Sequence, residues 1–286
     1  MAALRVGIIF VVASFVLSLG LRSARFEPGY FWRRPALLLR SVAAVYVLVP
    51  LAVVGVMVLV HLPFSVELGV LLLAISPTAP LAPGLSPKLG SDLVYAYHLQ
   101  VTIAILTVIA LPATCLLVGS VFGYSLRPEV PAVTRTILLG QIIPLAVGFT
   151  LHRFFPRPSQ RVGRILGIAA QVALVLVVLA VLFLRGRAIV ALGVPALVTI
   201  IGIALLALGI GHLLGGPRPE IRHALAVASS SRHPGLAMLL AAINFPGQDV
   251  FAPVVAYLLA TILVTQSYRF IVGGRSGKTA TVAAPS

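Results

Sequence analysis

Long apolar runs separated by short stretches of charged residues, prolines and glycines dominate this chain. Nine such runs fall at about 4–21, 36–60, 67–89, 93–121, 132–152, 163–184, 188–214, 221–244 and 249–272. A helix that crosses a bilayer needs about 20 residues of this kind. Because 60% of the 286 residues are apolar and only 9% are charged, a water-soluble globule is excluded. The sequence predicts an all-α polytopic membrane protein with nine transmembrane helices.

Basic residues are distributed unevenly among the loops between these runs. Fifteen of the 21 lysines and arginines fall in one set of loops, five in the opposite set, and one, Arg232, lies inside a run. Since basic residues accumulate in cytoplasmic loops, we expect an external N-terminus, a cytoplasmic C-terminus and a location in the plasma or inner cell membrane. The same bias explains the net charge of +15 without nucleic acid. We expect a single transmembrane domain over 1–272 and a disordered cytoplasmic tail over 273–286.

Two of the nine runs cannot be continuous helices. The third contains four prolines between 76 and 87, and the eighth contains a polar stretch with a proline, 229–236. Proline removes an amide donor and clashes with the preceding turn. Broken backbone at membrane depth is tolerated only where protein or a water-filled cavity surrounds it. These two stretches therefore predict discontinuous helices around a functional site.

The two interrupted runs also resemble each other. Each contains Pro-Gly-Leu, at 83–85 and at 234–236. They lie five runs apart, so the chain crosses the membrane in opposite directions at the two places. This indicates an inverted repeat, with a first half at about 4–121 and a second at about 132–272, and such paired interruptions point to the midplane site of a secondary transporter. The alternative is that the prolines only kink helices and that a three-residue match recurs by chance.

The polar residues of the interrupted runs are the candidate substrate ligands. Freed amides and half-helix N-termini favour an anion there, and the candidates are Ser76, Thr78, Pro83, Ser86, Ser229, Ser230, Ser231, Arg232 and His233. A guanidinium at mid-depth costs about 2.5–3.5 kcal/mol even on lenient scales, so it requires compensation. Arg232 could be a built-in cation, bind a carboxylate or sulfonate bidentately, or extend to the cytoplasmic surface.

At these segments the sequence resembles the bile acid:sodium symporter family, and the similarity extends over roughly 5–272. The basic loop from Leu21 to Pro35, which precedes a helix with Val49-Pro50-Leu51, and the run from Gln141 to Leu145 are similar to family motifs. The resemblance implies two inverted repeats divided into a panel and a core domain, with two discontinuous helices crossing in the core. It also implies that Tyr257 and Thr261, on the last span, line the pocket.

The resemblance also implies where family sodium ligands would lie, and here most of them are replaced. Those positions read Ala82, Pro83, Ala96, Gln100, Ala228 and Arg232, and only Gln100 keeps a side-chain oxygen. We therefore expect degenerate sodium sites and transport that does not require sodium. Proton coupling stays open: His233 is the candidate carrier, because histidine titrates near neutral pH, and its alternative role is that of a neutral hydrogen-bonding group. Gln100, Arg232 and His233 are thus the candidate coupling residues.

The function that these features favour is a secondary active transporter or symporter of a small organic anion that works by alternating access. We expect no enzymatic activity, cofactor or metal site, because the catalytic motifs are missing and the single cysteine rules out a disulfide or a cysteine cluster. A second hypothesis is a membrane receptor or sensor that binds a ligand without transporting it. A passive channel is less favoured, because no span carries a ring of repeated polar residues.

Overall fold

The computed structural model describes residues 2–22, 29–79 and 92–280, with only the backbone described for 2–9 and 273–280. Pro83 and Ser86 lie outside the described residues, and so do residues 281–286 of the predicted tail, while the backbone of 273–280 belongs to the last helix. Within these ranges the chain forms ten helices and no strand, apart from one isolated bridge. They are α1 (Ala2–Arg22), α2 (Pro35–Leu59), α3 (Phe64–Ile75), α4 (Leu93–Phe122), α5 (Val130–Phe154), α6 (Pro156–Val190), α7 (Val194–Leu214), α8 (Pro219–Ser230), α9 (Pro234–Asn244) and α10 (Phe251–Ala280).

Every apolar run of the sequence contains helix, and the third and eighth runs are the ones with short helices. Six helices in the described part of the chain, α2, α4, α5, α6, α7 and α10, are long and apolar enough to cross a membrane. The all-α membrane-protein class is therefore confirmed. The number of nine spans and the repeat topology stay predictions, because α3, α8 and α9 are too short to cross a bilayer alone.

The helices pack in two groups. The three-helix group consists of α1, α5 and α6, and α1 lies against both of the others. Its contact with α5 is made through backbone, since a Cβ added to Gly148 would lie 2.6 Å from the carbonyl oxygen of Leu17. Small residues allow such close approach between membrane helices. The other helices form the seven-helix group, in which α7 and α10 contact each other and α3 packs against α2, α9 and α10.

Two long helices contain a wide turn immediately before a proline. In α2 the π-helical turn is Ala43–Leu48 and precedes Pro50, and in α5 it is Leu138–Ile142 and precedes Pro144. In α2 the N–H of Val49 donates to the carbonyl of Ala44, five residues back. The next carbonyl, that of Val45, would require the N–H of Pro50, which does not exist. The sequence thus leaves the carbonyl oxygen of Val45 available for another donor.

Helix α8 is held against α7 by a contact that leaves no room for a side chain. A Cβ added to Gly211 of α7 would lie 2.5 Å from the carbonyl oxygen of Leu225 and 2.6 Å from Oγ of Ser229. This contact fixes α8, and therefore the polar stretch that follows it.

Replacing Gly211 with Ala is expected to destabilise the protein, because overpacking of this kind costs about 1–3 kcal/mol. The measurement is the midpoint of thermal unfolding in detergent. Gly209, on the same helix, is the matched control, since a Cβ added there meets nothing within 4 Å. We expect G211A to lower the midpoint and G209A to leave it unchanged or slightly higher. Equal midpoints would show that α7 and α8 are not packed this closely.

Candidate functional site

The two interrupted runs lie side by side where their helices end. Residues 77–79 and 231–233 form a short antiparallel pair in which Thr78 is opposite Arg232. The N–H of Ala79 donates to the carbonyl of Ser231 (2.7 Å), and the N–H of His233 donates to the carbonyl of Pro77 (2.9 Å). These two bonds bring the C-terminal end of α3 and the C-terminal end of α8 to one place. Thr78 and Arg232 are both about 1% exposed, so the pair is buried.

Three carbonyl groups at this place lack a helical donor because of a proline. In an α-helix each carbonyl accepts from the residue four ahead. The residue four ahead of Ser76 is Pro80 and the one four ahead of Ser230 is Pro234, so neither carbonyl has such a donor. The carbonyl of Val45 is the third, for the reason given above. Buried carbonyls need hydrogen bonds, and side chains of the site supply all three.

Arg232 supplies donors to two of these carbonyls. Its Nη1 donates to the carbonyl oxygens of Val45 (3.0 Å) and Ser76 (3.2 Å). Within the described residues, Nε and Nη2 make no hydrogen bond of good geometry. The Tyr257 hydroxyl lies near enough for a distorted hydrogen bond to the guanidinium, and the Tyr46 hydroxyl is also near the charge. The guanidinium is buried, so it does not extend to the protein surface. The Nη1 end of the guanidinium is thus fixed by hydrogen bonds to the backbone, and the N–H donors of Nε and Nη2 remain available for a ligand.

Acidic side chains are engaged elsewhere. Asp92 caps the N-terminus of α4 (3.1 Å) and Asp249 caps that of α10 (3.0 Å). Glu67 accepts a hydrogen bond from Tyr124 (2.5 Å), and burial together with this carboxylate raises the pKa of the Tyr124 hydroxyl. Among the described residues, no carboxylate forms an ion pair with Arg232. In this part of the chain, its positive charge is therefore compensated by neutral oxygen atoms.

Two side chains of α10 satisfy the third carbonyl. The hydroxyl of Tyr257 donates to the carbonyl of Ser230 (2.9 Å), and Oγ1 of Thr261 donates to the same oxygen (3.3 Å). Both side chains are buried. The last long helix therefore reaches the interrupted segment through residues that the family resemblance singled out.

His233 begins α9. Its Nδ1 accepts a hydrogen bond from the N–H of Leu236 (3.2 Å), as an N-cap side chain does. An accepting Nδ1 carries no proton, so in this arrangement the ring is neutral and its Nε2 is the donor. The geometry fits the neutral hydrogen-bonding role better than proton transfer, and the coupling role stays a prediction.

A pair of glutamines connects the two helix groups beside the crossing. Nε2 of Gln100, on α4, donates to Oε1 of Gln141, on α5 (2.8 Å), and it lies 3.5 Å from the carbonyl oxygen of Thr78. Both glutamines are buried. In the described part of the protein, Oε1 of Gln100, Nε2 of Gln141 and Oγ1 of Thr78 have no hydrogen-bond partner. Unused donors and acceptors therefore collect at the boundary between the groups.

A profile of the sodium bile acid symporter family matches residues 5–192, more than half of the chain. The chain belongs to this family. The resemblance read from the sequence is thus confirmed, and membership fits a membrane transporter and not an enzyme. The matched part of this symporter-family chain contains Ser76, Gln100 and Gln141 and ends before Arg232. A comparison with curated proteins found no significant match.

Most of the residues predicted for the substrate site of this symporter-family protein meet at the crossing. Ser231 lies in the antiparallel pair, and its Oγ has no partner among the described residues. Ser76 and Ser230 each donate their hydroxyl to a carbonyl of the preceding helical turn, at 2.7 and 3.2 Å. Ser229 instead lies against Gly211 of α7.

Sequence reasoning did not single out Val45, Tyr46 or Gln141 as site residues of the symporter-family chain. The wide turns before Pro50 and Pro144 place Val45 and Gln141. The four-residue spacing of an α-helix would have pointed to the carbonyl of Tyr46 and not to that of Val45, because only the wide turn moves Val45 opposite Pro50. Gln141 is a polar residue inside an apolar run, and such a residue by itself indicates a functional position in a membrane-spanning segment.

Removing both the Tyr257 and the Thr261 hydroxyl is expected to lower the stability of the protein by more than the sum of the two single losses. Y257F and T261V each leave the Ser230 carbonyl one donor, whereas the double variant leaves a buried acceptor with none and should cost about 1–3 kcal/mol more than the sum. Thermal unfolding of the wild type, both single variants and the double variant measures this coupling. T199V, which removes an exposed hydroxyl of α7, is the control. Additive single effects would contradict the shared acceptor.

Proposed function

We propose that this protein is a secondary active transporter that carries a small organic anion across the membrane by alternating access. Family membership supports a transporter. The anion is inferred from the site, and the observation that carries this inference is the Nε–Nη2 edge of Arg232. That edge is buried and has no partner of good geometry among the described residues.

The free edge of Arg232 has the geometry of an anion fork. Nε and Nη2 present parallel N–H groups, which bind a carboxylate or sulfonate through two hydrogen bonds. The opposite end of the guanidinium is fixed by the carbonyls of Val45 and Ser76, so the fork is already oriented. A bound anion would also neutralise a charge that no carboxylate of the described residues pairs with.

Alternating access is proposed to move the two helix groups relative to each other. The side chains at their boundary are buried: the exposed fraction is 6% for Gln100 and 4% for Gln141. A substrate can therefore reach them only when the groups separate. The antiparallel course of 77–79 and 231–233 supports inverted repeats with discontinuous crossing helices, and the three-helix and seven-helix groups correspond to a panel and a core. The proposed orientation keeps the N-terminus outside and the C-terminus in the cytoplasm.

The proposed substrate pocket combines the crossing with the glutamine pair. Ser76, Thr78, Ser230, Ser231 and His233 lie at the crossing, and Tyr257 and Thr261 support it from α10. Gln100 and Gln141 add amide groups that can replace their mutual bond with bonds to substrate. Sodium sites are proposed to be degenerate, since Arg232 holds positive charge where a sodium ion would be repelled.

The purified protein in liposomes is expected to exchange anions across the bilayer. The measurement is counterflow with a panel of labelled small carboxylates and sulfonates, each preloaded at high concentration, in sodium buffer and in potassium buffer. We expect at least one to be exchanged at equal rates in both buffers, because the site carries its own cation. Exchange that requires sodium would contradict the degenerate sodium sites.

R232Q tests the fork in the same assay. Gln keeps hydrogen-bonding capacity but has no charge, so we expect loss of anion binding and of exchange, while the protein remains monodisperse in detergent. R187Q removes an exposed arginine of α6 and is the matched control. Exchange that survives R232Q would rule out the fork. Binding without exchange by the wild type would favour the receptor or sensor hypothesis over the transporter.

Replacing Gln141 with Leu is expected to lower exchange by about tenfold, since one lost hydrogen bond to substrate is worth about 0.5–1.5 kcal/mol and a buried amide left unpaired adds to this. Counterflow with the anion identified above measures it. Q171L makes the same substitution at an exposed position of α6. Wild-type exchange by Q141L would place the substrate away from the boundary of the helix groups.

A further inference from the structure

We propose that the Nη1 end of Arg232 occupies a monovalent cation site formed by the crossing, and that this site binds a free cation when the side chain is removed. The inference rests on the proposed function, because it identifies what fills the crossing during transport. It differs from the anion fork, since it concerns the opposite end of the guanidinium.

The ligands of the proposed site are backbone oxygens that prolines have left without helical donors. Nη1 contacts the carbonyl oxygens of Val45 at 3.0 Å and Ser76 at 3.2 Å. The helical donor position for each carbonyl is a proline, Pro50 for the wide turn of α2 and Pro80 for the end of α3. Neither oxygen has a helical N–H that would compete with an ion for it.

Helix polarity also favours positive charge at this place. Both α3, which ends at Ile75, and α8, which ends at Ser230, direct their C-terminal ends to the antiparallel pair. The C-terminus of a helix carries a partial negative charge of roughly half an electron. Unwound carbonyls and half-helix C-termini are the groups that coordinate cations in transporters with broken helices. The crossing thus has the chemistry of a cation site with neutral ligands.

Two further hydroxyl groups belong to the antiparallel pair. Oγ1 of Thr78 and Oγ of Ser231 are buried and have no hydrogen-bond partner among the described residues. Thr78 is opposite Arg232 in the pair and Ser231 is its neighbour in the chain. Thr78 and Arg232, being opposite each other, project from the same face of the pair, whereas Ser231 projects from the other. Removing the arginine side chain would leave the carbonyl oxygens of Val45 and Ser76 without their donor, with the Thr78 hydroxyl on the same face, and these oxygens suit a monovalent cation or a free guanidinium ion.

Covalent attachment makes occupancy of this site permanent. A free ion would have to be captured at each cycle, whereas the Arg232 side chain is always present. The crossing is therefore held together without an ion from solution, and we infer that sodium independence is a consequence of this one side chain.

The test is chemical rescue of R232A, followed by thermal unfolding in detergent. The wild type and R232A are each measured with about 10 mM guanidinium, sodium, potassium or choline chloride, concentrations too low to denature. We expect R232A to unfold at a lower temperature than the wild type. We expect guanidinium to raise its midpoint by roughly 3–8 °C, as a ligand of the folded state does, and sodium to raise it less.

The wild type should not respond to any of these ions, because its site is filled. Choline is a bulky quaternary ammonium ion and controls for ionic strength. Stabilisation of R232A by guanidinium or sodium beyond that of the wild type supports the cation site. Equal responses of the two proteins to every ion would overturn it.

R232K and R232M keep the proposal testable if R232A does not fold. Lys retains the charge on a similar stem and Met fills a similar volume without charge, so we expect R232K to unfold close to the wild type and R232M well below it. Indistinguishable midpoints for the two variants would overturn the proposal. These measurements use no substrate, so failure of the transporter proposal, seen as absent exchange by the wild type, is recorded separately from failure of the cation site.

Discussion

Hydrogen bonds to carbonyl groups that proline has left without a helical donor hold the centre of this protein together. Inside a membrane such carbonyls cannot form hydrogen bonds with water, so side chains must donate to them. Arg232 reaches two of them and the α10 hydroxyls reach the third. The donors come from parts of the chain far apart in sequence, and the carbonyls therefore determine how α2, α3, α8 and α10 are arranged. The prolines that break the helices also produce the contacts that join them.

Sequence reasoning found the interrupted segments and the buried arginine because each breaks a rule that ordinary spans obey. A proline cluster cannot be helical, and a charge cannot lie in hydrocarbon without compensation. It could not find which residues pair, since the register that puts Thr78 opposite Arg232 depends on where α3 and α8 end in space. Gln141 and Val45 were missed for a similar reason. The wide turns of α2 and α5 rotate the faces of these helices, so a count of 3.6 residues per turn does not give the correct face.

The two-group arrangement and the glutamine pair suggest how stability and motion are divided. Within the three-helix group, α1 and α5 touch through backbone at glycines, which favours movement as a rigid unit. Between the groups, the bond from Gln100 to Gln141 is an amide–amide hydrogen bond with unused capacity on both sides. Bonds of this kind contribute little net free energy. Opening of such a boundary would carry no large energetic penalty, which the proposed transport cycle requires.

Arg232 has no carboxylate partner among the described residues, and this has an electrical consequence for the proposed carrier. Loaded with a monovalent anion, the crossing has no net charge, whereas the empty crossing carries a full positive charge through the membrane field. Moving one charge through 100 mV corresponds to about 2.3 kcal/mol. In the proposed cycle the loaded step would be insensitive to voltage and the empty return would not, which would favour one-for-one exchange of anions over net flux.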